Sequence, residues 1–339
     1  MPDISIVLPC YNAENTVEET LDSLARQTLD DFEVIAVDDG SEDSTLRILE
    51  TWASEDSRFQ VLACPHAGVI AAANAGIAAC RAPYIARMDA DDRAHPQRFE
   101  KQVAYLEQHP EIAVVSSLVR GFPAEDVREG FRIYIEWLNT LVSDEDIRRE
   151  IFVESPLPNP SVTLRAEWMQ RMGGYAERSW PEDYDLFLRL YLAGAHFAKI
   201  PEVLLDWREH PRRITRTDSR YSLENFLRAK AHYLARGPLV GRDAVIIWGA
   251  GMMGRRLSKH LMRTEKAPVV AFVDIDPKKI GNTRRGKPII APDDLLDWWE
   301  RFEVPVVLAA VGARGARTLV RKRLIDFGLC EAEDWWAVA

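Results

Sequence analysis

The chain predicts an α/β protein: a mostly parallel sheet flanked by helices, followed by a second, smaller α/β domain. Three observations carry this. Over the first 120 residues short apolar runs alternate with amphipathic stretches of helical length, which implies right-handed crossovers and parallel pairing. A length of 339 residues suggests two domains at about 150 residues each. The stretch Arg236-Gly237-Pro238-Leu239-Val240-Gly241-Arg242 combines Gly, Pro and charge as a linker does, and beyond it the alternation restarts.

In order, the apolar runs predict strands at 4–8, 32–38, 59–63, 84–88 and 112–119. Between them helical periodicity falls at 15–27, 43–56, 68–80 and 96–108, with Ser41 and Asp43 as capping residues for the second of these. Residues 121–165 are less periodic, with a helix-like piece near 131–150 and a Pro-rich segment from Pro156 to Pro160. Strong helical patterns follow at 182–194 and 219–236, which closes a first domain at 1–236. The second domain, 243–339, reads as strand 244–248, helix 252–264, strand 268–273, helix 292–302, strand 305–311 and helix 313–326.

Composition narrows the function. Hydrophobic residues make up 47% and charged residues 28%, as in an ordinary globular protein. A net charge of −10 lacks the basic footprint of a nucleic-acid binder. The four cysteines, Cys10, Cys64, Cys80 and Cys330, form no CxxC pair, so reduced thiols in a cytoplasmic setting are expected rather than zinc or a disulfide framework. The N-terminus enters an apolar strand at once without a signal-peptide pattern, and no run approaches the roughly 20 residues of a membrane span.

Parallel sheets bind ligands beyond the carboxyl ends of their strands. Three polar clusters fall there: Pro9-Cys10-Tyr11-Asn12, Asp38-Asp39-Gly40-Ser41 and Asp89-Ala90-Asp91-Asp92. Asp89 and Asp91, two apart, would point the same way from an extended chain. Their hard oxygens suit Mg²⁺ or Mn²⁺, with a diphosphate completing the shell. Asp92 has two open readings, helix or loop support and part of the cation site. Three carboxylates in four residues repel one another and call for a compensating cation.

With Val37-Asp38-Asp39-Gly40-Ser41, Asn74-Ala75-Gly76, Arg87-Met88-Asp89-Ala90-Asp91-Asp92, Gly173-Gly174-Tyr175 and Glu182-Asp183-Tyr184-Asp185-Leu186 following in order, residues 3–215 resemble a family-2 glycosyltransferase of GT-A fold. The resemblance implies that Pro9, Tyr11, Asn12, Asp38, Asp39 and Asn74 hold the nucleotide donor. Asp89 would contact ribose or sugar, and Asp91 would bind the metal. Asp183 would be the general base, with Glu182 orienting it, meeting the acceptor, or only satisfying a helix dipole. Arg208 and His210 would reach the metal or diphosphate, although a loop histidine is often just a surface residue. Many relatives carry Arg where Ala73 stands, so that phosphate contact is either missing here or supplied by Arg87 or Arg98. Trp137 and Trp180 are candidate sugar platforms, with core packing as the plainer alternative.

The resemblance further implies a metal-dependent, inverting transfer from a nucleotide-diphosphate sugar, a UDP-sugar favoured, to a saccharide or glycolipid acceptor. It places the work in polysaccharide or glycoconjugate assembly, with peripheral association at the inner membrane face. In the second domain Gly249-Ala250-Gly251-Met252-Met253-Gly254 stands between a strand and a helix, and Asp274 ends the next strand. That pattern is similar to Rossmann-like nucleotide sites binding NAD(P). Two alternatives remain open here: an NAD(P)-linked oxidoreductase, or a sugar-nucleotide-binding sensor. The glycines also have a purely packing explanation.

Overall fold

The computed structural model describes residues 1–264 and 268–339. Contacts divide the chain into two units: 1–147, 156–178 and 182–217, then 148–155, 179–181 and 218–339.

The first unit holds an eight-stranded sheet. Its strands are β1 (Ile4–Cys10), β2 (Phe32–Asp39), β3 (Phe59–Cys64), β4 (Tyr84–Arg87), β5 (Arg93–Ala94), β6 (Ile112–Phe122), β7 (Thr163–Arg165) and β8 (His196–Arg208). They lie in the order β3-β2-β1-β4-β7-β6-β8-β5. The first four are parallel, as the alternation requires. β7 and β5 run antiparallel to their neighbours, while β6 and β8 pair in parallel. The helices of this unit are α1 (Val17–Ala25), α2 (Thr45–Glu55), α3 (Val69–Ala79), α4 (Arg98–Gln108), α5 (Glu129–Thr140), α6 (Asp144–Glu150), α7 (Ala166–Met172), α8 (Glu182–Leu192) and α9 (Ile214–Thr217), with the end of α6 passing into the second unit. Helices cover both sheet faces, so alternate residues of β1 enter different cores: Ile4, Ile6 and Leu8 one, Val7 the other.

Two expectations change. The helix foreseen over 131–150 is broken into α5 and α6. The Ser143 hydroxyl accepts the Asp146 N–H at 3.1 Å and the Asp146 carboxylate accepts from Ser143, a capping box that starts a new helix. Ser41 does not cap α2; its hydroxyl instead accepts the Asn12 N–H at 3.0 Å, and Asp43 takes the Thr45 N–H at 2.9 Å. β8 has no clean period-two signal because Pro201 and three register shifts against β6 interrupt it.

The second unit carries a six-stranded sheet of β9 (Ala244–Trp248), β10 (Val269–Val273), β11 (Thr283–Arg284), β12 (Lys287–Ile290), β13 (Pro305–Ala309) and β14 (Trp335–Ala337). The order β11-β12-β10-β9-β13-β14 winds outward both ways from the β9 strand, a doubly wound arrangement. Its helices are α10 (Leu223–Leu234), α11 (Met252–Arg263), α12 (Leu295–Trp299) and α13 (Ala316–Asp326). The linker expected at 236–242 lies inside this unit, because α10 packs on α11: Glu224 meets His260 Nε2 and Lys259 Nζ, each at 2.9 Å. Among the described residues no helix is long and apolar enough to cross a membrane.

Candidate active site

Parallel register sets Cys10 beside Asp38 and Asp39 beside Cys64, so the ends of three strands come level. The Tyr11 ring stacks on His66, with centroids 4.2 Å apart and planes 22° from parallel. Asp39 fixes this slab: its carboxylate accepts the N–H groups of Ala67 at 2.8 Å and Gly68 at 2.9 Å, and His66 Nδ1 lies 2.9 Å away. Asp38 accepts the Ser41 N–H through one oxygen, while its other oxygen is buried without a hydrogen-bond partner. Asn12 sits at φ 47°, and its amide oxygen accepts the Glu42 N–H at 2.9 Å, which makes it a brace between loops. Pro9 is half-buried at the end of β1.

Beyond β4 the chain turns through Asp89, Asp91 and Asp92, whose ligand atoms lie within 4.8 Å of one another. The buried Arg87 pairs with Asp89 at 2.7 Å. Asp91 Oδ2 lies 2.8 Å from His210 Nε2. Asp92, 1% exposed, accepts the Arg208 N–H through one oxygen and leaves the other without a hydrogen-bond partner. Burial, then the charges of Asp91 and Asp89, push its carboxyl well above the usual range. Orphaned oxygens, clustered carboxylates and an imidazole together fit a hard divalent cation such as Mn²⁺ or Mg²⁺. Asp89, Asp91 and His210 are the residues that could hold it.

Asp183 stands in the first turn of α8 with one oxygen accepting the Tyr184 N–H at 2.7 Å. Desolvation, then the neighbouring Glu182 charge, with Asp89 adding to them, raises its pKa to about 8. Such a group is suited to take a proton near neutrality. A rigid frame holds this helix start. Arg189 bonds Asp185 at 2.7 Å and reaches the carbonyls of Met172 at 2.7 Å and Gly174 at 2.9 Å. The Asn74 amide brackets the Tyr175 backbone. A Cβ on Gly174 would fall 2.5 Å from Asn74 Oδ1, so only glycine allows this approach.

The phosphate contact expected of Arg87 or Arg98 is corrected by their burial. Arg98 is fully buried, donating to the Arg87 carbonyl at 2.9 Å and to Gln102 at 3.2 Å. Arg208 braces the acidic loop through the Asp91 carbonyl at 2.5 Å and an ion pair with Glu19. Trp180 is 8% exposed, packed on His232 and Tyr233, which leaves no face for a sugar. Trp137 is half-buried beside Tyr134. Sequence reasoning missed His66, whose ring stacks on Tyr11. The position of His66 just beyond β3 is the available signal, since the ends of β2, β1 and β4, next in the sheet, carry the polar clusters.

In the second unit Gly249, at φ 115°, and Gly254 serve close packing: a Cβ on Gly254 would lie 1.9 Å from the Gly249 carbonyl. Gly251 faces open space. The Asp274 carboxylate, expected to meet a ribose, accepts the N–H groups of Ala250 and Asp276, each at 3.0 Å, and pairs with Lys279 at 3.1 Å. Its hydrogen-bonding capacity is therefore largely taken up internally.

A GT-A-type sheet with an acidic loop and a recessed carboxylate at a helix start defines a glycosyltransferase. Residues 5–160 match the model of glycosyl transferase family 2, and residues 241–329 match that of C2185-like, N-terminal. The chain is 32% identical over 204 residues to the amylovoran biosynthesis glycosyltransferase AmsE of Erwinia amylovora, covering 59% of this chain and 74% of that one. It is 31% identical to the putative glycosyltransferase EpsE of Bacillus subtilis, over 66% of this chain and 79% of the other. The protein belongs to glycosyltransferase family 2. Among solved structures, S. aureus TarS 1–349 in complex with UDP-GlcNAc superimposes with a TM-score of 0.57 at 19% identity, covering 79% of this chain and 74% of that chain. The mannosyltransferase PcManGT from Pyrobaculum calidifontis, in complex with GDP-Man and Mn²⁺, gives 0.51 at 17% identity, over 69% and 62%. These two likenesses concern the fold.

Proposed function

We propose that this enzyme moves a sugar from a nucleotide-diphosphate sugar to an acceptor hydroxyl with inversion, using Mn²⁺ or Mg²⁺. The observation that carries it is the Asp91–His210 contact of 2.8 Å beside the orphaned Asp92 oxygen, in a chain whose Asp183 is separately tuned as a base. The Tyr11–His66 slab, with Asp38 and Asp39 beside it, offers an aromatic face and acceptor oxygens to a nucleoside. Asp89, Asp91 and His210 would hold the cation, which when bound neutralises charge on the departing diphosphate. Asp183 accepts the proton of the acceptor hydroxyl as that oxygen bonds to the anomeric carbon on the face opposite the diphosphate. The sugar–phosphate bond breaks, its electron pair leaves with the diphosphate, and the configuration inverts. Glu182 keeps the Asp183 proton affinity high. Asn12 and Asn74 act by positioning.

The donor we favour is a UDP-sugar, in line with the UDP and UDP-GlcNAc complexes of TarS, with the GDP-Man of PcManGT as the other precedent. The name of AmsE supports a saccharide or glycolipid acceptor in polysaccharide assembly. Such an acceptor would bring the enzyme to the inner membrane face from the cytoplasm. The test is a thermal-shift screen of UDP- and GDP-sugars with and without Mn²⁺, followed by NMR of the product's anomeric proton. Donor stabilisation that ignores Mn²⁺, or a product of retained configuration, would refute the metal or the inverting step respectively.

A further inference from the structure

Three neighbours hold His66 in one place although its side chain is 53% exposed. The Tyr11 ring stacks on its face, with centroids 4.2 Å apart. Its Nδ1 lies 2.9 Å from the Asp39 carbonyl oxygen and 2.9 Å from Asp39 Oδ2. Gly40, at φ 69°, presses on its backbone: a Cβ there would fall 2.7 Å from the His66 N, so only glycine permits the approach. These contacts also fix which ring nitrogen carries the proton. Nδ1 faces two acceptors, so it is the donor, and in the neutral ring Nε2 then offers a lone pair. The two nitrogens diverge from the ring, so Nε2 points away from Asp39, and among the described residues it has no hydrogen-bond partner. The Asp39 carboxylate is buried and already accepts the Ala67 and Gly68 N–H groups, which makes Nε2 the freer acceptor. Tyr11 follows β1 and His66 lies just beyond β3, so the pair spans the end of β2, where a sheet of this kind takes its ligand.

We propose that His66 determines which nucleobase the donor carries: Nε2 accepts a ring N–H, the N3–H of uracil in the UDP-sugar favoured above. Cytosine presents a lone pair at the same ring nitrogen and is rejected, because two facing acceptors leave each other unsatisfied. The inference rests on the nucleotide-sugar reading above and deepens it.

Calorimetric titration of the full chain with UDP and with CDP, in Mn²⁺ at about pH 8 where an imidazole is ordinarily neutral, tests this. The two ligands share ribose and diphosphate, so their ratio isolates the base contact. Wild type should bind UDP roughly tenfold more tightly than CDP. His66→Asn keeps an N–H donor near the Nδ1 position but has no acceptor at Nε2, so the ratio should fall to within about twofold, chiefly through weaker UDP binding. His66→Gln carries an amide oxygen near the Nε2 position and should restore part of the preference. A merely structural role predicts the opposite order, with Asn tolerated, Gln harmful, and both nucleotides affected alike. A ratio unchanged in His66→Asn, or a wild type that does not distinguish UDP from CDP, overturns the proposal while leaving nucleotide binding standing. The unpartnered Asp38 oxygen would then be the base reader. A wild-type chain that binds neither nucleotide overturns the UDP-sugar reading as well.

Discussion

Asn74 grips the backbone of Tyr175 with both ends of its amide: Oδ1 accepts the Tyr175 N–H at 2.9 Å and Nδ2 donates to the Tyr175 carbonyl at 2.8 Å. The two residues are 101 positions apart. This clasp joins the donor-side α3 helix to the segment leading into Glu182 and Asp183. Asn74 therefore acts on geometry across the site.

Asn74→Asp should be more harmful than Asn74→Ala. The new carboxylate puts an acceptor against the Tyr175 carbonyl, whereas alanine only leaves two backbone groups without their partner, at about 1–3 kcal/mol. Chemical denaturation of both variants checks the ranking. Equal midpoints would mean that the clasp contributes through shape alone.

Asp183→Asn should keep nucleotide-sugar affinity and lower turnover roughly 10²-fold or more, as loss of a general base does. Because Asp183 works ionised and titrates at about 8, wild-type kcat/KM should climb as pH rises through that value. Glu182→Gln removes the neighbouring negative charge, so the Asp183 pKa falls and this limb moves to lower pH. A pH profile unmoved in Glu182→Gln would separate the two residues.

The same shift has a consequence for stability. A carboxyl whose folded pKa lies above its unfolded value of about 3.9 makes the folded chain bind more protons between the two, so its contribution to stability declines as pH rises from about 4 to 8. Asparagine has no such proton. The melting temperature of Asp183→Asn relative to wild type should therefore increase from pH 5 to pH 8. A gap that is constant or shrinking across this range would show that Asp183 titrates normally.

A chain cut after Arg236 should fail to fold cleanly. Glu150, only 3% exposed, pairs with Arg317 and Arg321 at 2.6 Å each, and the buried Lys230 donates to the carbonyls of Val153 and Val338. Truncation removes both arginines and leaves the buried carboxylate only the looser contact with Arg149 at 3.9 Å. Within the full chain, Arg321→Ala should lower the melt markedly, while Arg26→Ala, at an exposed pair with Asp22, should change it little. A cooperative melt and full donor turnover by the truncated chain would refute the role given to this network.

Gly254→Ala should destabilise the second unit, because even a methyl group would meet the Gly249 carbonyl at 1.9 Å. Gly251→Ala meets nothing within 4 Å and should fold normally. If both variants melt alike, close helix–strand packing is not the reason for the third glycine.

The order of strands and helices was legible because helical and strand periods differ and both faces of the first sheet are covered, so β1, β2 and β4 read as nearly unbroken apolar runs. Asp38, Asp39, Asp89, Asp91 and Asp183 stood out for a related reason: charge directly beyond or between such runs has few structural explanations. The break between α5 and α6 was written in Ser143 and Asp146 but hidden by continuous amphipathic spacing. β7, three residues long, and β8, interrupted at Pro201, draw their pairing from neighbours distant in sequence.

The α/β class, the strand-end placement of the acidic clusters and the family they resemble are therefore legible in the order of residues alone. These depend on local period and on chain order. Tertiary structure alone decided that Arg87 and Arg98 are buried supports, that His66 completes the Tyr11 slab, and that Asp274 is engaged by its own domain. It also decided that residues 148–155 and 179–181 belong to the second unit. Burial and charge pairing depend on which surfaces meet, as where Tyr11 stacks on His66 or the Ala250 N–H reaches Asp274 across 24 positions, and no local pattern encodes that meeting.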